Sequence, residues 1–192
     1  MHTNTKKQLI VDTATRLFAK DGYHAVGVDR IISESGVAKM TLYRHFQSKD
    51  DLIVEVLTQQ AQQTLASMTD AARKKSKALD RLHEVFIWHK RWFKASDFTG
   101  CMFVAAFSEF HSQPGEIMRV TVAQKDSLRI FLKHILIDVV PSGIVGRLAR
   151  QLVMLLDGAI LSAMAGDRKN AADEAWDIAK KLISAEIGTL AG

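Results

Sequence analysis

Pro114 and Pro141 are the only prolines in this chain of 192 residues. Proline ends helices by removing a backbone donor and clashing with the preceding turn, so long stretches run without that stop. Those stretches are rich in Ala, Leu, Lys and Asp, and β-branched residues do not alternate with polar ones over strand-length windows. The sequence therefore predicts an all-α protein. With 47% hydrophobic and 24% charged residues, it carries enough apolar surface for packed domains rather than a disordered coil.

Apolar spacing divides the chain. In "KKQLIVDTATRLFAKDG", Ile10, Ala14, Leu17 and Phe18 form one stripe at i, i+4, i+7 and i+8, and Gly22 follows as a left-handed stop. A short second helix is expected over about residues 28–35, burying Ile31 and Ile32. Gly36 falls where a tight inter-helix turn needs positive φ. A third helix begins at Ala38 and turns Ala38, Leu42 and Phe46 inward. Ser48, with Asp51 three positions on, is a capping-box pattern for a fourth helix expected to run through Leu65.

The polar stretch "TDAARKKSKALD" reads as a loop or frayed helix end. In "KALDRLHEVFIWHKRWFKA", Leu82, Phe86, His89 and Phe93 share a stripe with Val85, Trp88 and Trp92 beside it. That predicts a central helix packed from more than one side. "CMFVAAFSEF" is short and apolar, "EIMRVTVAQKDSLRIFLKHILIDVV" is amphipathic up to Pro141, and two further helices close the chain.

The stretch "SGVAKMTLYRHFQSKDDL" surrounds a few apolar anchors with polar and cationic groups. With Ala38, Leu42 and Phe46 buried, Lys39, Met40, Tyr43 and Arg44 take the opposite face, flanked by Thr41 and His45. Cationic heads, a phenol and a hydroxyl on one face hydrogen-bond phosphates and reach base edges. The preceding helix and the Gly36 turn complete a helix-turn-helix, whose second helix enters the major groove. Lys49 begins the next helix, where its ammonium and the open backbone N–H groups meet a phosphate together. A solvated charged face on an amphipathic helix is the competing reading, and spacing alone does not separate the two. His45 also has an alternative reading, as a packed histidine.

Residues 1–50 hold eight Lys/Arg against five Asp/Glu, a surplus of three within a whole-chain net charge of +5. The sequence pI near 9.4 makes polyanions plausible partners.

The segment "RLFAKDGYHAVGVDRIISESGVAKMTLYRHFQSKDDLIVEVL" resembles the DNA-binding domain of the TetR family of bacterial transcriptional regulators. The resemblance covers roughly residues 6–57 and is carried by "LFAKDGY", "SGVAKMTLYRHF" and "SKDDL" in combination. It implies an N-terminal three-helix DNA-binding domain over 1–50 and a larger helical effector-binding and dimerisation domain over 51–192. It also implies that Lys39, Met40, Thr41, Tyr43, Arg44 and His45 face double-stranded DNA, with Lys49 on phosphate. Gly27 stands where the family commonly has Ser or Thr, and Met40 where many members have Gly. Gly at an N-cap loses only a few tenths of a kcal/mol relative to a side-chain cap. Met40 brings a bulky apolar group to the groove, against a thymine methyl or as a shift in specificity.

So short a recognition helix touches few bases, and two copies about 34–36 Å apart on a near-palindrome remedy this. Gly158, Ser162 and Gly166 make a small-residue line near the C-terminus, with Leu152, Leu155, Ile160 and Met164 close by. Trp176, Ala179, Ile183 and Ile187 form a second stripe. The resemblance implies a homodimer interface built from these two helices in each subunit; intramolecular core is the alternative use of the same stripes.

In the family the middle helices enclose a small-molecule pocket. The candidate lining here is Phe86, His89, Trp92, Phe93, Phe103, Phe107, Phe110 and His111, with Trp88, Met102, Met118 and Glu109 nearby. A set this aromatic implies a largely apolar or aromatic effector, whereas packing alone accounts for any one ring.

Other functions find little support. Ile87 stands where the second His of H-E-x-x-H belongs, and neither nucleophile elbow, phosphate loop nor metal-ligand spacing occurs, so no catalysis, cofactor or metal is expected. An all-α enzyme and a regulator without an effector remain the rival classes. Cys101 is the single cysteine, which fits a reducing compartment and a buried structural thiol rather than a redox sensor. Asp12 and Arg16 interrupt the N-terminal apolar run before it makes a signal peptide, and no window reaches about 18 uncharged apolar residues. A cytoplasmic regulator is the expectation.

Overall fold

The computed structural model describes residues 6–188. The first five residues of the expected N-terminal domain and the last four of the C-terminal one lie outside the described residues. Nine helices are formed among those described: α1 Lys6–Asp21, α2 Val28–Ser35, α3 Lys39–His45, α4 Lys49–Arg73, α5 Ala78–Lys94, α6 Met102–Phe110, α7 Glu116–Leu136, α8 Ser142–Met164 and α9 Ala171–Gly188. The all-helical fold is as the proline distribution requires. Pro141 supplies the extended N-cap of α8 (φ −57°, ψ 145°). No described helix is long and apolar enough to cross a membrane.

The chain packs as two compact units, Met1–Gln62 with Cys101–Gln124, and Gln63–Gly100 with Lys125–Gly192. In the first, α1, α2 and α3 pack on one another. Ile10, Val11, Ala14, Leu17 and Phe18 are all buried on α1, each large side chain contributing about 1.5–3 kcal/mol from area removed from water. Gly22 closes α1 at φ +84°, its N–H donating to Phe18 O at 3.0 Å. Gly36 does the same for α2 at φ +66°, donating to Ile32 O. Both glycines hold the left-handed conformation that a side chain disfavours.

Two boundaries differ from the sequence expectation. The fourth helix runs on to Arg73 because Met68 and Ala72, one turn apart, both find burial. Ala38 is not an inward anchor: it is the exposed N-cap of α3, in extended backbone, and Val37 is buried in its place. With the helix starting one residue later, the Cβ at 38 falls outside the stripe that Leu42 and Phe46 define.

In the second unit α5, α8 and α9 pack on one another. Leu82, Val85, Phe86, His89 and Phe93 are buried on α5, as the apolar wheel predicts. Trp176 of α9 stacks on His83 at 4.5 Å and tilts against Phe86 at 5.3 Å. Glu84 is also buried, a position no periodicity marks. Its carboxylate is held by Arg91 at 2.8 Å and Lys75 at 3.3 Å, the pairing that a buried charge requires.

Candidate nucleic-acid interface

Leu42 and Phe46 hold α3 against the bundle and are almost fully buried. The remaining side chains of the helix therefore turn outward. Met40 is 77% exposed and Tyr43 42% exposed, Lys39, Arg44 and His45 are exposed, and Thr41 and Lys49 are half-buried at the flanks. The seven sequence-predicted residues are thus exposed or half-buried, six around α3 and one in the first turn of α4. His45 is not a packed histidine; its ring lies out in solvent, 6.4 Å from that of Phe46.

The electrostatics of the three-helix unit separate its structural cations from its available ones. Arg16 pairs with Glu34 at 2.7 Å, and Arg30 spans Asp21 at 2.8 Å and Glu34 at 2.9 Å, stapling α1 to α2. The bonds to Arg16 and Arg30 hold the Glu34 carboxyl below its ordinary range. Lys7 serves Glu55 at 3.2 Å and lies over the Phe46 ring. Lys39 has only a loose contact, 3.5 Å to Asp29, with both side chains largely solvated. Such a pair contributes little and yields easily to a phosphate. Asp50 and Asp51 accompany Lys49 in the first turn of α4, so the cation at 49 works beside two carboxylates.

One contact on this unit has no sequence signal. Glu109, near the end of α6, accepts from Tyr23 N–H at 2.9 Å and His24 N–H at 2.6 Å. The same carboxylate reaches His24 Nδ1 at 2.8 Å. Tyr23 is fully buried and its hydroxyl donates to the Met102 carbonyl at 3.0 Å. Burial, with Cys101 and Glu109 nearby, pushes the phenol far above its ordinary value. Glu109, named among the polar candidates of an effector pocket, is therefore engaged elsewhere.

The eight effector candidates fall into two groups, one in each compact unit. Phe86, His89, Trp92 and Phe93 belong to α5, where rings of His89, Trp92 and Phe93 lie 5.6–6.1 Å apart. Phe86, His89 and Phe93 are buried and Trp92 half-buried. The His89 Nδ1 lies 2.8 Å from Val85 O, and burial pushes its pKa down to about 4 despite that bond. On α6, Phe103 is buried and Phe110 packs against Tyr23 at 5.7 Å and His24 at 4.7 Å. Phe107 and His111 are not enclosed: Phe107 is 56% exposed and its ring stacks on that of His111 in solvent. On the helical wheel Phe107 and His111 fall at one edge of the stripe that buries Phe103, Ala106 and Phe110, and that edge faces solvent.

The eight dimer candidates also divide. Leu152, Trp176, Ala179 and Ile183 are buried within the subunit, where α5, α8 and α9 share a core. Leu155 is half-buried, while Gly158, Ser162 and Gly166 are exposed. The apolar residues that accompany them outward are Met154 at 71% and Leu161 at 54% exposure, with Ile178 on α9. On a helix apolar around most of its circumference, packing against α5 and α9 decides which leucines turn in.

A three-helix unit with one exposed cationic face on its third helix defines a helix-turn-helix DNA-binding protein. Residues 10–56 match the family described as "Bacterial regulatory proteins, tetR family". The chain is 30% identical over 84 residues to the fatty acid metabolism regulator protein of Bacillus subtilis, covering 44% of this chain and 43% of that one. It is 38% identical over 66 residues to the transcriptional activator FasR of Mycolicibacterium smegmatis, covering 34% and 30%. The matched stretch thus spans less than half the length of these curated relatives. Among solved structures, a TetR-family transcriptional regulator from Streptomyces coelicolor superposes with a TM-score of 0.89 at 29% identity, covering 96% of this chain and 91% of that one. The reduced form of E. coli NemR gives 0.84 at 18% identity over 92% and 95%, a likeness of fold. Residues 10–56 thus carry a tetR-family regulatory domain, and the whole chain shares the fold of a TetR-family transcriptional regulator. These curated relatives and the Streptomyces coelicolor neighbour are transcriptional regulators.

Proposed function

We propose that this protein is a cytoplasmic repressor that binds a near-palindromic operator as a homodimer and is released by a small, largely apolar or aromatic ligand. Residues 1–50 form its DNA-reading domain and 51–192 its effector-binding and dimerisation domain. The observation that carries the reading is the outward face of α3, where Lys39, Met40, Tyr43, Arg44 and His45 are exposed around the buried anchors Leu42 and Phe46. Thr41 and Lys49 complete it at the edges. Lys39, Thr41 and Arg44 read base edges, and Tyr43, His45 and Lys49 grip the backbone.

The dimer is supported by an exposed line on α8. Met154, Gly158, Leu161 and Ser162 recur at i, i+4, i+7 and i+8 and are all exposed. Apolar and small residues in that pattern allow another helix to approach closely, and a twofold axis then pairs the two reading heads. Leu152, Leu155, Trp176, Ala179 and Ile183 back this face from within. For the effector, the support is the ring cluster of α5, in which Trp88 and Trp92 are only half-buried.

Selection of bound duplexes from a random pool tests the proposal. A symmetric consensus with half-sites one helical turn apart is expected; an asymmetric or absent consensus overturns the dimeric operator. A second reading, a regulator with no small-molecule effector, is favoured by the near-complete burial of Phe86, His89 and Phe93. A thermal-shift screen in which no apolar compound stabilises the protein decides for it.

A further inference from the structure

The turn that joins α1 to α2 is held from outside the three-helix bundle. Tyr23 and His24 follow Gly22 and present two consecutive backbone donors, and the Glu109 carboxylate takes one with each oxygen. Successive N–H groups converging on one anion make a strong, charge-assisted arrangement. Gly22 makes room for it: a Cβ at that position stands 2.9 Å from Glu109 Oε1.

A second bond fixes direction as well as place. The Tyr23 hydroxyl donates to the carbonyl of Met102 at the start of α6, while Glu109 acts near the end of the same helix. Seven residues separate these anchors, about 10 Å along a helix axis. Phe110 fills the space beside them, against the rings of Tyr23 and His24. Two anchors on a rigid rod settle the angle at which the turn, and with it α2 and α3, is carried. Operator reading needs α3 in the groove at a defined angle, since bidentate base contacts fail with small misplacements.

We propose that Glu109 is a positioning residue for operator binding, its carboxylate fixing the pose of the helix-turn-helix on α6 through the Tyr23 and His24 amides. This rests on the DNA-binding reading above. Glu109 touches no DNA itself. Its removal costs specific binding, which depends on pose, while leaving non-specific binding, which depends on the charge of α3 and Lys49.

The test uses the full chain, the operator from the random-pool selection and an unrelated duplex of equal length. Glu109→Ala is expected to weaken operator binding at least about tenfold while changing affinity for the unrelated duplex less than about twofold. Glu109→Gln keeps one acceptor oxygen and falls between. Hydrogen exchange at the Tyr23 and His24 amides accelerates in Glu109→Ala, and exchange at Ile31 and Leu42 does not. Equal losses on both duplexes, or operator binding within about twofold of the unsubstituted chain, overturn the proposal. Should Glu109→Ala fail to fold, Tyr23→Phe, which deletes only the bond to the Met102 carbonyl, is read in the same assays. Retained specificity in both Tyr23→Phe and Glu109→Gln overturns it equally. An unsubstituted chain that binds no duplex refutes the DNA reading instead, and amide exchange still reports on the clamp.

Discussion

Ser48 and Asp51 exchange hydrogen bonds across the first turn of α4: Asp51 Oδ2 accepts from Ser48 N–H at 3.0 Å, and Ser48 Oγ accepts from Asp51 N–H at 3.1 Å. The pair satisfies two donors that the helix itself leaves open. It also fixes where Lys49 leaves the helix. Ser48→Ala is therefore expected to cost about 1 kcal/mol of stability, read as a shift in the urea midpoint at unchanged slope. A midpoint unmoved by the substitution means that solvent caps this turn as well as Ser48 does.

The proposed division of roles among the cationic residues of the candidate interface predicts two different outcomes. Lys49→Ala should weaken binding to all duplexes alike and lower the salt slope of log K by about 1. Arg44→Ala should cost about 1–3 kcal/mol on the operator and relax preference at one base position. Anisotropy titrations over a salt series, with operator and single-base variants, distinguish the two. A reversed pattern refutes the division of roles.

His89 gives the second unit a pH dependence. Its pKa is pushed from 6.5 down to about 4 by burial, so between those values the unfolded chain takes up a proton that the folded one refuses. Stability is fully present above about pH 6.5 and is lost as the pH falls toward 4, by on the order of 3 kcal/mol. Burial, with Lys180 nearby, also lowers the His83 pKa, so the measurement is the difference between the unsubstituted chain and His89→Gln. That difference should fall with pH through this window; a constant one sinks the assignment to His89.

Leu161 is exposed on α8 beside Gly158 and Ser162. A carboxylate there leaves the subunit core untouched, with stability within about 0.5 kcal/mol, but repels its symmetry mate across a twofold. Leu161→Glu should sediment as a monomer and lose affinity for the paired half-sites while retaining its helical circular dichroism. A dimer that survives the change locates the interface on another face.

Much of the reading head was legible because its determinants are local. The α1 stripe, the glycine turns at 22 and 36, the capping pair and the outward set on α3 all lie within a few turns of each other. Helical spacing alone therefore relates them. Ala38 departs from the spacing because α3 starts one residue later, which moves that Cβ off the stripe. The Glu109 clamp joins residues 85 and 86 positions apart, and no periodicity records such a meeting.

The faces of α8 and α9 show the other limit. Leu152 and Met154 are near neighbours of similar hydrophobicity, yet one is sealed in the core and the other lies open to solvent. The amino-acid order determined the helical class, the positions of the turns and the chemistry presented by α3, since these follow from interactions among residues close in the chain. Which apolar residues turn inward, and which carboxylate holds the α1–α2 turn, were decided by tertiary packing. Burial is settled by what a side chain meets, and those partners come from distant segments.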